Sequence, residues 1–159
     1  MDNLLKLLRQ NSRLTNAELA VMLGISEAEV AGQIAELEAQ GIIKGYTAII
    51  DDSAADPNSV TAFIELKVTP QSRSGFDEIA QQIAGYEEVE SVMLMSGSYD
   101  VLVTVTGSNI REVSHFVAER LAAIDAVTAT ATHFRLRAYK QNGVKICAED
   151  KDERGMVCL

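Results

Sequence analysis

Apolar positions near the start of the chain recur at helical spacing. Leu4, Leu7 and Leu8 share one face of a first helix, which ends near Asn11. Thr15 and Glu18 stand ahead of Leu19, Ala20 and Leu23 as a capping box opening a second helix, and Gly24 stops it. Ser26 and Glu29 repeat the device, and Val30, Ile34 and Leu37 follow at i, i+4 and i+7 with Gly41 as the closing glycine. Two capped helices joined by the tight turn Leu23-Gly24-Ile25 are the helix-turn-helix pattern. Ile42, Ile43 and residues 46–50 read as extended segments, a wing and a linking strand.

The period then changes. Residues 51–58 are polar, contain Pro57 and lack any repeat, which marks a linker. Residues 60–68 alternate with period two as a half-buried strand that Pro70 terminates, and Phe76, Ile79, Ala80 and Ile83 then line one helix face up to Gly85. Residues 89–95 and 99–106 predict two strands about a Ser96-Gly97-Ser98 turn. Ser108 caps a further helix with Val113, Phe116, Val117 and Leu121 inward, and residues 127–138 alternate as a last strand. Strand, helix, strand, strand, helix, strand is the ferredoxin-like order. Helices cover only one face of such a sheet, so a second copy covering the other, a homodimer, is expected. The predicted class is α+β: a winged helix-turn-helix over 1–50, a linker over 51–58, a ferredoxin-like domain over 59–139, and a tail over 140–159 with a Gln-Asn-Gly turn.

Composition narrows this only a little. In 159 residues, 47% hydrophobic and 23% charged describe a chain that folds rather than stays disordered. Its longest apolar runs fall far below the roughly 20 residues of a membrane span. The opening Met1-Asp2-Asn3 lacks the basic region of a secretory signal, so a cytoplasmic location and no membrane partner are expected. Cys147 and Cys158 have neither a CxxC spacing nor a nearby histidine, so free thiols are expected and no metal site. The net charge of −9 opposes nonspecific attraction to phosphate.

Taken together, the motifs resemble the Lrp/AsnC family of transcription regulators over nearly the whole chain. They are Arg13-Leu14-Thr15, Glu18-Leu19-Ala20, Leu23-Gly24-Ile25-Ser26, Val30, Ile34, Leu37-Glu38, Gly41-Ile42-Ile43-Lys44-Gly45-Tyr46, Gly97-Ser98-Tyr99-Asp100, Thr130 and Thr132. The resemblance implies DNA binding as an oligomer, a dimer and a higher assembly such as an octamer. It also implies an amino-acid effector bound between dimers, and no other cofactor. The effector positions it implies are Gly97, Tyr99, Asp100, Thr130 and Thr132, with Met95 and Ser98 nearby. A glycine turn can offer amides to a carboxylate, and an aspartate can accept from an ammonium group. Each residue also has a plainer reading: Gly97 as a hairpin glycine, the threonines as strand formers, Asp100 as a turn cap.

The resemblance implies basic residues on the third helix, and here the chain departs from the family. No Lys or Arg lies between Arg13 and Lys44, while Glu18, Glu27, Glu29, Glu36 and Glu38 do. The outward positions of that helix are Glu27, Ala28, Glu29, Ala31, Gly32, Gln33, Ala35 and Glu36, and Gly32 costs it roughly 1 kcal/mol relative to Ala. Phosphate contact with double-stranded DNA falls to Lys6, Arg9, Arg13 and Lys44, with Ser26 and Gln33 able to hydrogen-bond. Binding per head is then weak, and several heads in one oligomer raise avidity by about 10²–10⁴. The alternative is a sensing protein that does not read DNA alone and co-assembles with a better-charged paralogue. Siroheme decarboxylases look like relatives of the fold, but His115 and His133 form no nucleophile–base pair in the sequence, so no enzyme is expected.

Overall fold

The computed structural model describes residues 2–69 and 75–146, so Pro70, Cys147 and Cys158 lie outside the described residues. The chain separates into two compact units, one of residues up to Ile50 together with Lys140–Lys145, the other running from Asp51 to Tyr139.

In the first unit, α1 (Asp2–Gln10), α2 (Asn16–Leu23) and α3 (Glu27–Ala39) pack around Leu4, Leu19, Ala20, Val30 and Leu37. Both capping boxes form. The Thr15 amide donates to Glu18 Oε2 (2.8 Å) while the Glu18 amide donates to Thr15 Oγ1 (3.2 Å), and Ser26 and Glu29 repeat this at 2.8 and 3.2 Å. Gly24 ends α2 at φ 69°, a left-handed conformation open to glycine at no steric cost. After α3, Gly41 at φ 67° directs its own amide to the Glu38 carbonyl and the Ile42 amide to the Leu37 carbonyl, a Schellman closure.

That closure also sets the path of the segment after α3. The Ile42 and Ile43 amides are spent on the Leu37 carbonyl, and residues 41–50 join no strand ladder among the described residues. The strands of this unit among the described residues are instead β5 (Lys140–Gln141) and β6 (Val144–Lys145), turned by Asn142 (φ 47°) and Gly143 (φ 90°) as the Asn-Gly sequence favours.

The second unit opens with a short helix, α4 (Asp52–Ala55), where a structureless linker was expected. Arg135 Nη2 holds Asp52 Oδ2 at 2.5 Å and fixes this turn to the end of the sheet. The sheet consists of β1 (Val60–Val68), β2 (Val89–Leu94), β3 (Val101–Gly107) and β4 (Val127–Phe134) in the order β2-β3-β1-β4, with every neighbouring pair antiparallel. Between the strands run α5 (Gly75–Ala84) and α6 (Ile110–Phe116), the latter continuing as one π-helical turn through Leu121. Ala62, Ile64 and Leu66 of β1 and Val101, Val103 and Val105 of β3 face Ile79, Ile83, Val113, Phe116 and Leu121, so the alternation in the sequence became a one-sided core.

Two boundaries differ from the expectation. The cap of α6 is Asn109, whose Oδ1 accepts from the Glu112 amide (3.0 Å), while Ser108 donates amide and hydroxyl to Glu112 Oε2 (2.7 and 2.6 Å). The β2–β3 connection is wider than a tight turn: residues 95–100 form the loop, closed by the Met95 amide on the Asp100 carbonyl (2.8 Å).

Candidate functional sites

Helix α3 presents a ridge of small uncharged residues flanked by exposed glutamates. Residues in an α-helix step by about 100°. With Val30 and Leu37 fully buried, Ala28, Gly32, Ala35 and Ala39 therefore fall on the opposite side beside Ala31, and all are exposed. Three of its four glutamates make local bonds, and Glu27 is exposed. Glu29 is folded into the capping box, Glu36 Oε1 accepts from Gln40 Nε2 (2.9 Å), and Glu38 Oε1 accepts from the Tyr46 hydroxyl (2.9 Å). Burial first, then the bond to and charge of Glu38, push the Tyr46 hydroxyl above its ordinary range. The Ser26 hydroxyl and amide hold Glu29 below the usual carboxylate range, and Thr15 does the same to Glu18.

Of the residues expected to meet DNA, Arg9, Arg13 and Lys44 line one hollow of about 740 Å³, walled also by Leu5, Ile43, Tyr46 and Asn142. Lys6, Ser26 and Gln33 do not line it. The Ser26 hydroxyl is committed to Glu29 Oε2 at 2.7 Å, and Gln33 is half-buried on the flank of α3. Asn142 reaches this hollow from the Asn-Gly turn that was readable in the sequence.

The residues expected to bind the effector lie on β4 and on the loop before β3, the two strands that flank β1. Leu66 of β1 pairs with Val101 on one side and Thr130 on the other, and the Asp100 amide donates to the Leu66 carbonyl (2.9 Å). The 95–100 loop and Thr130 thus flank the same stretch of β1, two strand spacings or about 10 Å apart. Thr130 is exposed and Thr132, opposite Ile64, is half-buried. Both share the helix-bearing side with Leu66 and Ile64 because partners in register point the same way.

Asp100 does cap. Its Oδ2 accepts from the Val68 amide at 2.8 Å, just where the β1–β4 register shifts between Lys67 and Val68. Gly97 does not behave as a hairpin glycine: its φ is not positive and a Cβ there would meet nothing within 4 Å. Neither backbone strain nor packing explains the missing side chain. Among the described residues no cluster of three His, Cys, Asp or Glu could hold a metal ion, and no described helix is long and apolar enough to cross a membrane.

Two capped helices followed by an antiparallel α+β domain with a loop-and-strand site define a DNA-binding regulator with a ligand-binding domain. Family comparison agrees: residues 3–44 match a winged helix-turn-helix DNA-binding family, and residues 61–144 match the Lrp/AsnC ligand binding domain. The chain belongs to the Lrp/AsnC family of transcription regulators and is not an enzyme.

Relatives include an uncharacterized HTH-type transcriptional regulator, YugG, of Bacillus subtilis, 42% identical over 97% of this chain and 93% of its own. The leucine-responsive regulatory protein of Rhizobium meliloti is 31% identical over 86% of this chain and 87% of its own. A transcriptional regulator of Neisseria meningitidis solved as its L-Met complex superposes with a TM-score of 0.70 at 25% identity, covering 87% of this chain and 88% of its own.

Proposed function

We propose that this regulator acts in the cytoplasm as a dimer and higher oligomer whose α+β domain binds an amino acid and thereby alters DNA binding by the helix-turn-helix. The observation that carries the sensing half is the unexplained glycine at position 97, in a loop beside the register row of Leu66 and Thr130. A backbone stripped of its Cβ suits close approach by a ligand. The L-Met complex of the Neisseria relative supplies the chemical class. Because loop and threonines lie about 10 Å apart across β1, one amino acid would touch both only if a second copy completes the pocket. Met95, Ser98, Tyr99, Asp100 and Thr132 complete this reading.

The test is a thermal-shift screen of the standard amino acids against the full chain and Gly97→Val. The new Cβ meets nothing within 4 Å, and a melt of the unliganded variant checks that the fold is kept. An effector at 100 times its Kd stabilises by about 2.7 kcal/mol. At least one amino acid should shift the native protein and fail to shift the variant; a screen blank for the native protein would remove the amino-acid reading.

The lack of any Lys or Arg between Arg13 and Lys44 favours a second reading, a sensor that reaches DNA only through a better-charged paralogue. A gel shift of the promoter region by the pure homo-oligomer at low salt would dismiss it.

A further inference from the structure

Helix α3 carries no Arg, Lys or Asn, and its one Gln, Gln33, is half-buried on its flank. Guanine is read chiefly by Arg or Lys and adenine by Asn or Gln, whereas small apolar side chains read the C5 methyl of thymine. The exposed ridge of α3 offers Ala28, Ala31, Gly32, Ala35 and Ala39, and its three hydrogen-bonded glutamates are turned to Ser26, Gln40 and Tyr46. Gly32 is the telling position. It weakens a helix interior, yet its φ is ordinary and a Cβ would meet nothing within 4 Å, so no neighbour inside the chain asks for glycine. A surface that comes close from outside does ask for it. For the second helix of a helix-turn-helix, that surface is the floor of the major groove.

We propose that this regulator specifies its operator through thymine methyl groups. The Ala28, Ala31 and Ala35 methyls pack against them, Gly32 lets the helix backbone lie close, and guanine goes unread by α3. The inference rests on the reading of this head as a DNA binder. Phosphate contacts then come from outside α3, from Arg9, Arg13 and Lys44, which share one hollow. An apolar ridge of this kind also suits a protein helix, but the family assignment of residues 3–44 favours duplex DNA.

The experiment uses the full-length oligomer to select duplexes from a random pool at low salt. Each thymine of the enriched motif is then replaced singly by deoxyuridine, which removes only the methyl, and each guanine by 7-deazaguanine, which removes only the N7 acceptor. At least one thymine per half-site should lose about fourfold in affinity, the scale of withdrawing one methyl-sized apolar contact. The 7-deazaguanine duplexes should bind as before. Gly32→Met should lower affinity for the selected duplex about tenfold, the scale of one mismatched base pair, without lowering Tm. A motif indifferent to deoxyuridine, or one that fails on 7-deazaguanine, overturns the methyl reading and leaves DNA binding intact. Gly32→Met binding as well as the native chain overturns the close approach. No enriched motif overturns both this inference and DNA reading by the homo-oligomer, and leaves the ridge to a protein helix.

Discussion

The two units solve the same problem at different ranges. In the first, the capping hydrogen bonds join residues a few positions apart: Thr15 with Glu18, Ser26 with Glu29, Gly41 with Glu38. In the second, the decisive bonds join distant segments, such as the Val68 amide with Asp100, Arg135 with Asp52, and Thr61 with Thr106. A fold assembled from local devices depends on a few apolar side chains to bring its helices together. A sheet fixes its site through register, so a site residue there can serve structure and ligand at once.

The largest expected effect breaks the first unit alone. Leu37 is fully buried where α3 meets the other two helices. Leu37→Ala should cost about 3 kcal/mol, a large share of what so small a core supplies. Hydrogen exchange would check it: amides of α1, α2 and α3 should lose protection, while those of β1 and β3 keep theirs. Loss of protection in both units would show that the contrast between them is false.

Asp100 sharpens the comparison from the other side. Asp100→Ala leaves the part-buried Val68 amide without its acceptor and should cost about 2 kcal/mol in urea unfolding. Asp100→Asn keeps an oxygen for that amide and should restore most of the stability. Titration of the effector into Asp100→Asn then separates the roles. Retained stability with lost affinity assigns the charge to the ligand, and unchanged affinity makes Asp100 a strand cap only.

What the sequence made legible follows the same division. The capping boxes, Gly24, Gly41 and the Asn-Gly turn were readable because each is settled by residues within reach of one another in the chain. The succession of strands and helices along the second unit was readable from period alone. The pairing of residues 42–50 was not, because it depends on a partner strand that no local pattern names, and the helix stop takes the Ile42 and Ile43 amides. The glutamates of α3 were countable in the sequence, but that three of them bond to Ser26, Gln40 and Tyr46 was not. For the effector site the residues were named from their resemblance to a family, but the Val68 bond of Asp100 and the absence of any strain at Gly97 needed coordinates.

Ser26→Ala should act more gently. It removes the hydroxyl that accepts from the Glu29 amide, and loss of such a cap costs about 1 kcal/mol. Asn109→Ala in the second unit removes the corresponding bond to the Glu112 amide. Circular dichroism melts should show similar losses for the two, because a cap is local whichever core its helix joins. A clearly larger loss for Asn109→Ala would mean that this cap also supports the sheet.

The smallest effect is a dependence on acid that both units share. Hydrogen bonds from Thr15, Ser26 and Ser108 hold Glu18, Glu29 and Glu112 below the usual carboxylate range. A carboxyl depressed in the folded state binds its proton more readily when unfolded, so stability rises with pH until the unfolded carboxyl has ionised. What these groups contribute is therefore fully present above the ordinary carboxylate range and is lost as pH falls through the lower folded values. All three are exposed to water, so the slope is shallow. Glu29→Gln keeps an oxygen acceptor for the Ser26 amide but cannot ionise. Melts of the native chain and this variant from about pH 6 to about pH 3, the span in which glutamates protonate, should converge as acid is added. Parallel curves across that span would mean that the Glu29 box contributes its geometry and not its charge.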